Sequence, residues 1–314
     1  MQNPIAVIAV GGNALIKDNA HISTLDQYNA VCETMRPVAE LIKNGWRVAI
    51  AHGNGPQVGF ALRRSELSAN ELPPEPLDVC GADTQGWIGY FMQQNLHNRL
   101  RDLGLDVDPV TLITQVQVDV NDPAFQKPTK PIGAFMNYEE AIRRQGEGWT
   151  VMEDAGRGWR RVVPSPMPVR IVEEATIVSL IQAGVIVITV GGGGIPVIAD
   201  ADGALHGIAA VIDKDLSSAL LANRINADVL ILCTGVEKVA IHFGKPNQAW
   251  LGEIRLAQAK AYLAEGIHFA KGSMAPKIEA AIQYLEHGGT RVIITNMENI
   301  TRAVTGATGT HIVR

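Results

Sequence analysis

The sequence predicts an α/β fold built on a mainly parallel sheet, and three observations support that prediction. Short runs rich in Val, Ile and Ala alternate with longer segments of helical periodicity along the 314 residues. Most of these runs are apolar throughout, as expected for strands that are covered on both faces. Glycine-rich segments directly follow three of the runs. An alternation of this kind is typical of a parallel sheet with helices on both faces.

The predicted elements follow one another in a regular order. Concentrations of β-branched and other apolar residues predict strands at 5–10, 47–51, 110–118, 185–190, 229–233 and 292–295. Helical spacing of apolar residues predicts helices at 24–44, 56–69, 83–103, 172–183, 215–226, 254–265 and 276–287. Strands and helices therefore alternate over nearly the whole chain.

The ends of the predicted helices carry signals with a physical origin. Thr24 and Gln27 have the spacing of a capping box, and Pro56 and Pro276 suit a first helical position. Pro37 is expected to kink or shorten the first helix, because proline lacks an amide hydrogen. Glycines that tolerate a left-handed backbone are expected to close three helices, at Gly45, Gly104 and Gly184.

One segment, residues 121–168, departs from this alternation. It is rich in proline, glycine and charge, and it contains a predicted hairpin in which AGRG (155–158) joins WTVMED to WRRVV. A structureless loop of this length would be unusual inside a compact domain. We therefore expect a small inserted subdomain or lid within a single domain spanning residues 1–314. Its basic run GWRRVV (158–163) is interpreted as a solvated hairpin face.

Composition and charge argue against several classes of function. The net charge of −5 and the pI near 5.9 provide no basic surface for nucleic acid or an anionic membrane. No stretch reaches the roughly 18 apolar residues that a membrane span needs. The 8 histidines form no metal-binding pair. The cysteines lie far apart, which indicates a reducing, cytoplasmic setting, at Cys32, Cys80 and Cys233.

Three glycine-rich loops are candidates for a shared anion site. They are GGNA (11–14), HGNGPQ (52–57) and GGGGIP (191–196), and each follows a predicted strand. The carboxyl ends of parallel strands meet at one edge of a sheet, where exposed backbone amides can bind anions. The alternative is that each loop only makes a tight turn. The chain contains neither a P-loop nor a well-spaced dinucleotide fingerprint.

Three lysines complete the predicted site. Lys214 lies between Asp213 and Asp215 at a predicted helix start, and Lys277 lies at another. Lys130 lies between two prolines in PTKPIG, which stiffen its backbone. A lysine braced by an aspartate keeps its charge and orientation, as phosphoryl transfer requires. The alternative is that Asp213 and Asp215 only cap a helix and that each of the three lysines is an ordinary surface residue. Together with the glycine loops, the lysines indicate a phosphate clamp.

At this point the chain resembles the carbamate kinases of the amino-acid kinase superfamily. The resemblance runs nearly end to end through VGGNAL, HGNGPQVG, DVCGADTQGWIGY, DPAFQKPTKPIG, EDAGRGWRRVVPSPMP, GGGGIPV, AVIDKDLS, FGKPNQ and GSMAPK. It implies a three-layer α/β/α sandwich with an eight-stranded, mainly parallel sheet and a small protruding subdomain. It also implies a homodimer with small-molecule substrates.

The implied reaction is reversible phosphoryl transfer, in which ATP and carbamate give ADP and carbamoyl phosphate. Such enzymes usually run toward ATP in the breakdown of nitrogen compounds such as arginine. The implied cofactor is Mg²⁺, held mainly through the nucleotide phosphates rather than by a metal site of the protein. Carbamate is already an anion, so no strong general base is required.

Carried over by position, the phosphate-binding residues would be Gly11, Gly12 and Asn13. Lys214 and Lys277 would neutralise the phosphoryl and nucleotide phosphates. The acceptor site would be formed by Gly53, Asn54, Gly191, Gly192, Gly193 and Gly194.

The remaining expected roles concern orientation and the nucleotide. Asp213 would orient the lysines and hold Lys214 on the phosphates, while Lys130 would close over the anions from the insert. Thr234 and Lys245 are candidate nucleotide contacts, chosen from their position after a strand.

Two departures from the family pattern, Ala209 and Ala307, lie outside the expected clamp. Three alternatives remain open at this stage. They are a regulatory nucleotide-binding protein, a kinase for a larger carboxylate, and a dehydrogenase on a dinucleotide-binding sheet.

Overall fold

A computed structural model describes residues 3–16, 20–154, 158–270 and 272–314, and of Asn13 it describes the backbone alone. Its strands are β1 (Ile5–Val10), β2 (Arg47–His52), β3 (Pro109–Thr111), β4 (Gln115–Val118), β5 (Lys130–Met136), β6 (Val151–Glu153), β7 (Trp159–Val163), β8 (Pro168–Ile171), β9 (Ile186–Ile188), β10 (Ile195–Ala199), β11 (Leu205–Gly207), β12 (Val229–Cys233), β13 (Ala240–Ile241), β14 (Ala249–Trp250), β15 (Glu253–Arg255), β16 (Arg291–Thr295) and β17 (Thr310–Val313). Its α-helices are α1 (Thr24–Lys43), α2 (Gly55–Ser68), α3 (Leu77–Asp102), α4 (Tyr138–Gly146), α5 (Glu174–Gln182), α6 (Lys214–Arg224), α7 (Leu256–Glu265), α8 (Met274–Glu286) and α9 (Ile300–Val304).

The central sheet has eight strands in the order β15-β17-β16-β12-β1-β2-β9-β3. Strand β1 pairs in parallel with both β12 and β2, and β9 pairs in parallel with β2 and β3. The exception is β17, which runs antiparallel to β16. The predicted fold class, an α/β fold with a mainly parallel eight-stranded sheet, is confirmed.

Helices cover both faces of this sheet, and the alternation within β1 shows why. Val7 and Ala9 belong to one apolar core, which includes residues of α5, α6, α7 and α8. Ala6, Ile8 and Val10 belong to the opposite core with residues of α1, α3 and α9. Since both faces are buried, the strand has to be apolar at every position. No helix of the described chain is long and apolar enough to cross a membrane.

The segment 121–168 carries a sheet of its own. Strands β5, β7 and β6 form a three-stranded antiparallel sheet, with α4 between β5 and β6. The predicted hairpin is confirmed in β6 and β7, although residues 155–157 of its turn lie outside the described residues. The segment leaves and rejoins the body between β4 and β8, which pair antiparallel in a second, four-stranded sheet.

The insert packs tightly on α2 of the body. A Cβ built on Gly59 of α2 would lie 2.2 Å from both the backbone nitrogen and Cα of Gly133 in β5. Gly133 itself has a φ of +72°, which favours glycine. A small apolar cluster joins the two parts and contains Val58, Leu62, Leu77, Cys80, Ile132, Val163 and Val211.

The prediction of one strand at 110–118 is wrong. Strand β3 joins the central sheet, whereas β4 joins the four-stranded sheet. The chain leaves the central sheet around Thr114, whose backbone N–H and C=O both bond to the Gln85 side chain, at 2.8 and 3.0 Å. A long-range contact of this kind has no signal in the local apolar pattern.

Several predicted helix boundaries also need correction. The capping box at α1 uses Ser23 and Asp26 rather than Thr24 and Gln27, and α1 continues through Pro37. Six of the seven predicted helices start at residues other than those predicted. The largest difference is at α3, which has Pro76 as its N-cap, while β15 precedes α7 and α8 begins two residues before Pro276. The expected closing glycines do have positive φ angles, at Gly45, Gly104 and Gly184.

The Gly59–Gly133 contact yields a stability prediction. Gly59→Ala should lower the free energy of unfolding by about 2 kcal/mol or more, since its methyl group would meet backbone atoms that cannot rotate away. Gly81→Ala in α3 is the matched control, because its methyl group meets nothing within 4 Å. The control should be neutral or up to about 1 kcal/mol more stable. Chemical denaturation measures both, and equal stability of the two variants would contradict the packing argument.

Candidate active site

Three glycine loops meet at the carboxyl ends of neighbouring parallel strands. Gly12 follows β1, Gly53 follows β2, and the turn Gly191–Gly194 follows β9. A Cβ placed on Gly53 would lie 3.8 Å from the Gly12 nitrogen, and one placed on Gly192 would lie 2.3 Å from Nδ2 of Asn54. The predicted convergence of the loops is therefore present in the fold.

A cleft of about 560 Å³ opens at this edge of the sheet. Strand ends, helix starts and the insert all contribute to its wall. The predicted site residues that line it are Gly11, Gly12, Lys130, Asp213, Lys214, Thr234 and Lys277. Apolar side chains also line the cleft, among them Ile16, Ile22, Phe60, Phe135 and Met297. The cleft thus combines charged and apolar lining residues.

The insert reaches the body through an ion pair. Lys130, the first residue of β5, donates to Oδ2 of Asp213 at 2.5 Å. Asp213 is also the N-cap of α6, and its Oδ1 accepts from the Asp215 backbone N–H at 2.8 Å. One carboxylate therefore holds a helix start and the insert lysine together.

Two further lysines share the carboxylate of Asp215. Lys214 donates to its Oδ1 at 2.8 Å, and Lys277 lies 3.2 Å from Oδ1 and 3.0 Å from Oδ2. Lys277 is 6% exposed and Asp215 is 3% exposed. The expectation that Asp213 holds Lys214 is therefore wrong. Lys214 bonds to Asp215, and Asp213 bonds to Lys130.

The charges in this cluster shift one another's pKa values. Burial opposes the charge of Asp213, but the ammonium groups of Lys130 and Lys214 hold its pKa well below the usual range. Burial would lower the pKa of Lys214, yet the carboxylates of Asp215 and Asp213 raise it overall. For Lys277, burial and the neighbouring Lys214 charge outweigh Asp215, and the pKa is lowered.

Two other titratable groups near the loops stay neutral at ordinary pH. Burial lowers the pKa of His52, whose Nδ1 lies 3.2 Å from the Gly53 carbonyl oxygen, to about 4. Burial raises the pKa of the Cys233 thiol to about 12. Neither group supplies charge to the cleft, so the lysines and aspartates dominate its electrostatics.

Some predicted residues lie away from the wall of the cleft. The side chain of Asn13 falls outside the described part of the chain. The turn Gly191–Gly194 is buried and packs against Asn54 and His52. Asn54 is 4% exposed and is not among the described residues that line the cleft, but the preceding residue, Gly53, lies against Lys214. Lys245 is exposed on the connection between β13 and β14 and is not among the described residues that line the cleft.

Sequence reasoning missed the roles of two charged residues. Asp215 was treated only as a helix cap, although it holds two lysines. Arg160 was assigned to a solvated face, but its side chain is only 12% exposed and lines the cleft. It donates to the Gly133 carbonyl at 2.9 Å and lies over the Phe135 ring. Strand alternation offered the signal, because Arg160 and Arg161 must face opposite sides of β7.

The described residues suit an anion better than a protein-bound metal. Among them, no three His, Cys, Asp or Glu side chains come together as ligands for a metal ion. The two carboxylates of the cleft are already bonded to lysines. A cluster of three ammonium groups, glycine loops and two helix starts can bind and align phosphate groups.

Comparison with known proteins shows which family the chain belongs to. The chain is 51% identical to the carbamate kinase-like protein YahI of Escherichia coli over 99% of both chains. It is 48% identical to the carbamate kinase of Pyrococcus furiosus over 98% of both. The structure matches Giardia lamblia carbamate kinase bound to citric acid with a TM-score of 0.94 and 40% identity, covering 99% of this chain and 98% of that one. The form bound to AMP-PNP matches with a TM-score of 0.89, at the same identity and coverage.

The family assignment covers almost the whole length. Residues 4–296 match the amino acid kinase family, and this range includes the three glycine loops and the three lysines. The resemblance identified from the sequence motifs is confirmed. The chain belongs to the amino acid kinase family.

Proposed function

We propose that this protein is a carbamate kinase, which transfers a phosphoryl group reversibly between ATP and carbamate to give ADP and carbamoyl phosphate. The observation that carries the proposal is the pair of lysines on the buried carboxylate of Asp215, one of them 6% and the other 12% exposed, beside the glycine loops. Its relatives named as carbamate kinases match over nearly the whole chain.

The proposed mechanism relies on alignment and charge neutralisation. An oxygen of carbamate attacks the γ-phosphorus of ATP, and the bond from that phosphorus to the bridging oxygen of ADP breaks. Carbamate carries the negative charge it needs, so no proton has to be removed. Lys214 and Lys277 offset the negative charge on the phosphates, while Gly11 and Gly12 provide close backbone approach.

The cofactor in this proposal is Mg²⁺. Asp213 and Asp215 are both engaged by lysines, so most of the metal ligands would be phosphate oxygens and water. The ion supplies further neutralisation of the phosphate charges when it is bound. Lys130, Lys214 and Lys277, held by Asp213 and Asp215, would bind the phosphates that carry the ion.

The insert is proposed to act as a lid. Lys130 of the insert bonds to Asp213, the N-cap of α6. A closed insert would keep water away from the phosphoryl group during transfer. Thr234, at the end of β12, lines the cleft and remains a proposed nucleotide contact, whereas the exposed position of Lys245 does not support that role.

The setting of the reaction is also part of the proposal. We infer a cytoplasmic enzyme that runs toward ATP during the breakdown of nitrogen compounds such as arginine. Its partners would be small molecules and a second copy of the chain.

The first test measures ATP formed from carbamoyl phosphate and Mg-ADP. The wild type should produce ATP, and Lys214→Ala should lose about a thousandfold or more in turnover, because a charge on the transferred group is no longer offset. Lys260→Ala, an exposed lysine paired with Glu286, is the matched control and should retain full activity. Absence of ATP formation by a folded, ADP-binding wild type would reject the proposed function.

A second prediction concerns pH. The lowered pKa of Lys277 should make activity fall at a pH below the usual pKa of lysine, because the deprotonated amine no longer offsets phosphate charge. Asp215→Asn removes the carboxylate that favours the charged form of Lys277. The pKa of Lys277, and with it the pH at which activity falls, should therefore be lower still.

Profiles of kcat/KM between pH 7 and 10 measure this shift. Asp213→Asn is the matched comparison, since asparagine also caps helices well and Lys277 bonds to Asp215 instead. That variant should lose rate while its alkaline fall stays close to the wild type. Identical profiles for both variants would contradict the role of Asp215.

A third prediction concerns the second copy. Strand β3 forms one edge of the central sheet, and Tyr90 and Ile113 beside it are 55% and 48% exposed. Exposed apolar side chains at a sheet edge favour association. Light scattering should give about twice the 33.7 kDa mass of one chain. Ile113→Glu should yield monomers. The control Leu67→Glu, on α2, should remain dimeric. A monomeric wild type would refute the dimer.

A further inference from the structure

The glycine loops on the acceptor side are held from behind by α3. Thr84 and Gln85 are consecutive residues of this helix, and they are 0% and 2% exposed. Neither is among the described residues that line the cleft. Two buried polar side chains need hydrogen-bond partners, and these two find them on the loops.

Thr84 fixes the orientation of the Asn54 amide. Its hydroxyl donates to the Gly81 carbonyl at 2.7 Å and accepts from Nδ2 of Asn54 at 2.8 Å. With its proton committed to Gly81, the hydroxyl can only accept from Asn54. The amide nitrogen of Asn54 must therefore face Thr84, and its Oδ1 must face the other way.

Gln85 fixes the wall against which this amide lies. Its Nε2 donates to the Gly191 carbonyl at 2.9 Å and to the Thr114 carbonyl at 3.0 Å, and its Oε1 accepts from the Thr114 N–H at 2.8 Å. The next residue, Gly192, has a φ of +66° and lies so close that an added Cβ would be 2.3 Å from Nδ2 of Asn54. The amide thus has little freedom to turn.

Asn54 is left with one unused acceptor. The residue is 4% exposed, and within the described chain no hydrogen bond to its Oδ1 is present. Its neighbour Gly53 lies against Lys214, with a Cβ position 3.1 Å from the lysine Cδ. An oriented carbonyl oxygen at this place can accept a hydrogen bond from an N–H₂ group but not from a methyl group.

We propose that Thr84 is a positioning residue for acceptor specificity: it turns the Asn54 amide so that Oδ1 receives the amino group of the carbamoyl substrate. The inference rests on the proposed carbamate kinase function. It predicts discrimination against acetyl phosphate, which has a methyl group where carbamoyl phosphate has an amino group. Sites built to bind a donor reject analogues that lack it.

The experiment compares carbamoyl phosphate with acetyl phosphate as phosphoryl donors to Mg-ADP. Valine has nearly the same shape as threonine but no hydroxyl, so in Thr84→Val the Asn54 amide loses the hydrogen bond that orients it. Its kcat/KM for carbamoyl phosphate should fall about tenfold, with KM for ADP unchanged and kcat/KM for acetyl phosphate unchanged. Thr84→Ser keeps the hydroxyl and should restore the selectivity.

Thr111→Val is the matched control for the loss of a hydroxyl. The Thr111 Oγ1 is buried and has no hydrogen-bond partner among the described residues, so its removal should leave the activity with both phosphate donors unaffected. Thr84→Ala provides a second probe if the valine variant does not fold, and melting temperatures show which variants are intact.

The outcomes separate the two proposals. Equal losses with both phosphate donors, or a matching rise in the KM for ADP, would make Thr84 merely structural and overturn the inference alone. A folded wild type without activity toward carbamoyl phosphate would overturn both the inference and the proposed function.

Discussion

The site depends on one buried carboxylate, that of Asp215, which is shared by the buried ammonium group of Lys277 and the largely enclosed ammonium group of Lys214. Burying a lysine is costly unless its charge is paired, and placing two lysines together adds repulsion. Asp215 offsets both costs, because each of its lysines lies within hydrogen-bond distance. The cluster of Lys130, Lys214 and Lys277 with Asp213 and Asp215 still has one positive charge in excess. A bound phosphate supplies the negative charge that this arrangement lacks.

The fold places these charges where the backbone also favours an anion. Lys214 is the first residue of α6, and Lys277 lies in the first turn of α8. A cation at a helix N-terminus is opposed by the helix dipole, so the two positions are unfavourable for stability. The same dipoles attract an anion once it binds between the lysines. The aspartates therefore hold the lysines at these helix starts in the free protein, and a bound phosphate would add the favourable charge interactions that the free protein lacks.

The inner strands β1, β2, β9, β12 and β16 and the glycine loops could be predicted from the sequence because their signals are local, whereas the short strands β15 and β17 were not predicted from the apolar pattern. A strand buried on both faces is apolar at each position, and a loop that allows close approach is rich in glycine. The pairing of the triplet Asp213–Lys214–Asp215 could not be predicted this way, since either acid suits a cap. Which acid receives Lys214 depends on where α6 begins, and the pairing of Asp215 with Lys277 joins residues that are 62 positions apart in the sequence. The break at Thr114 and the inward face of Arg160 likewise depend on distant contacts.

The packing of the insert links it to the acceptor side of the site. Helix α2 begins at Gly55, directly after Asn54, and its Gly59 lies against Gly133 of the insert. Arg161 of β7 also bonds to Glu66 near the other end of α2. Because α2 is held at two places, the insert cannot move far without either breaking these contacts or carrying α2 with it. In the second case the start of α2, and with it Asn54, must shift as the insert shifts. A movement of the insert toward the phosphate would therefore be coupled, through α2, to the position of Asn54 on the acceptor side.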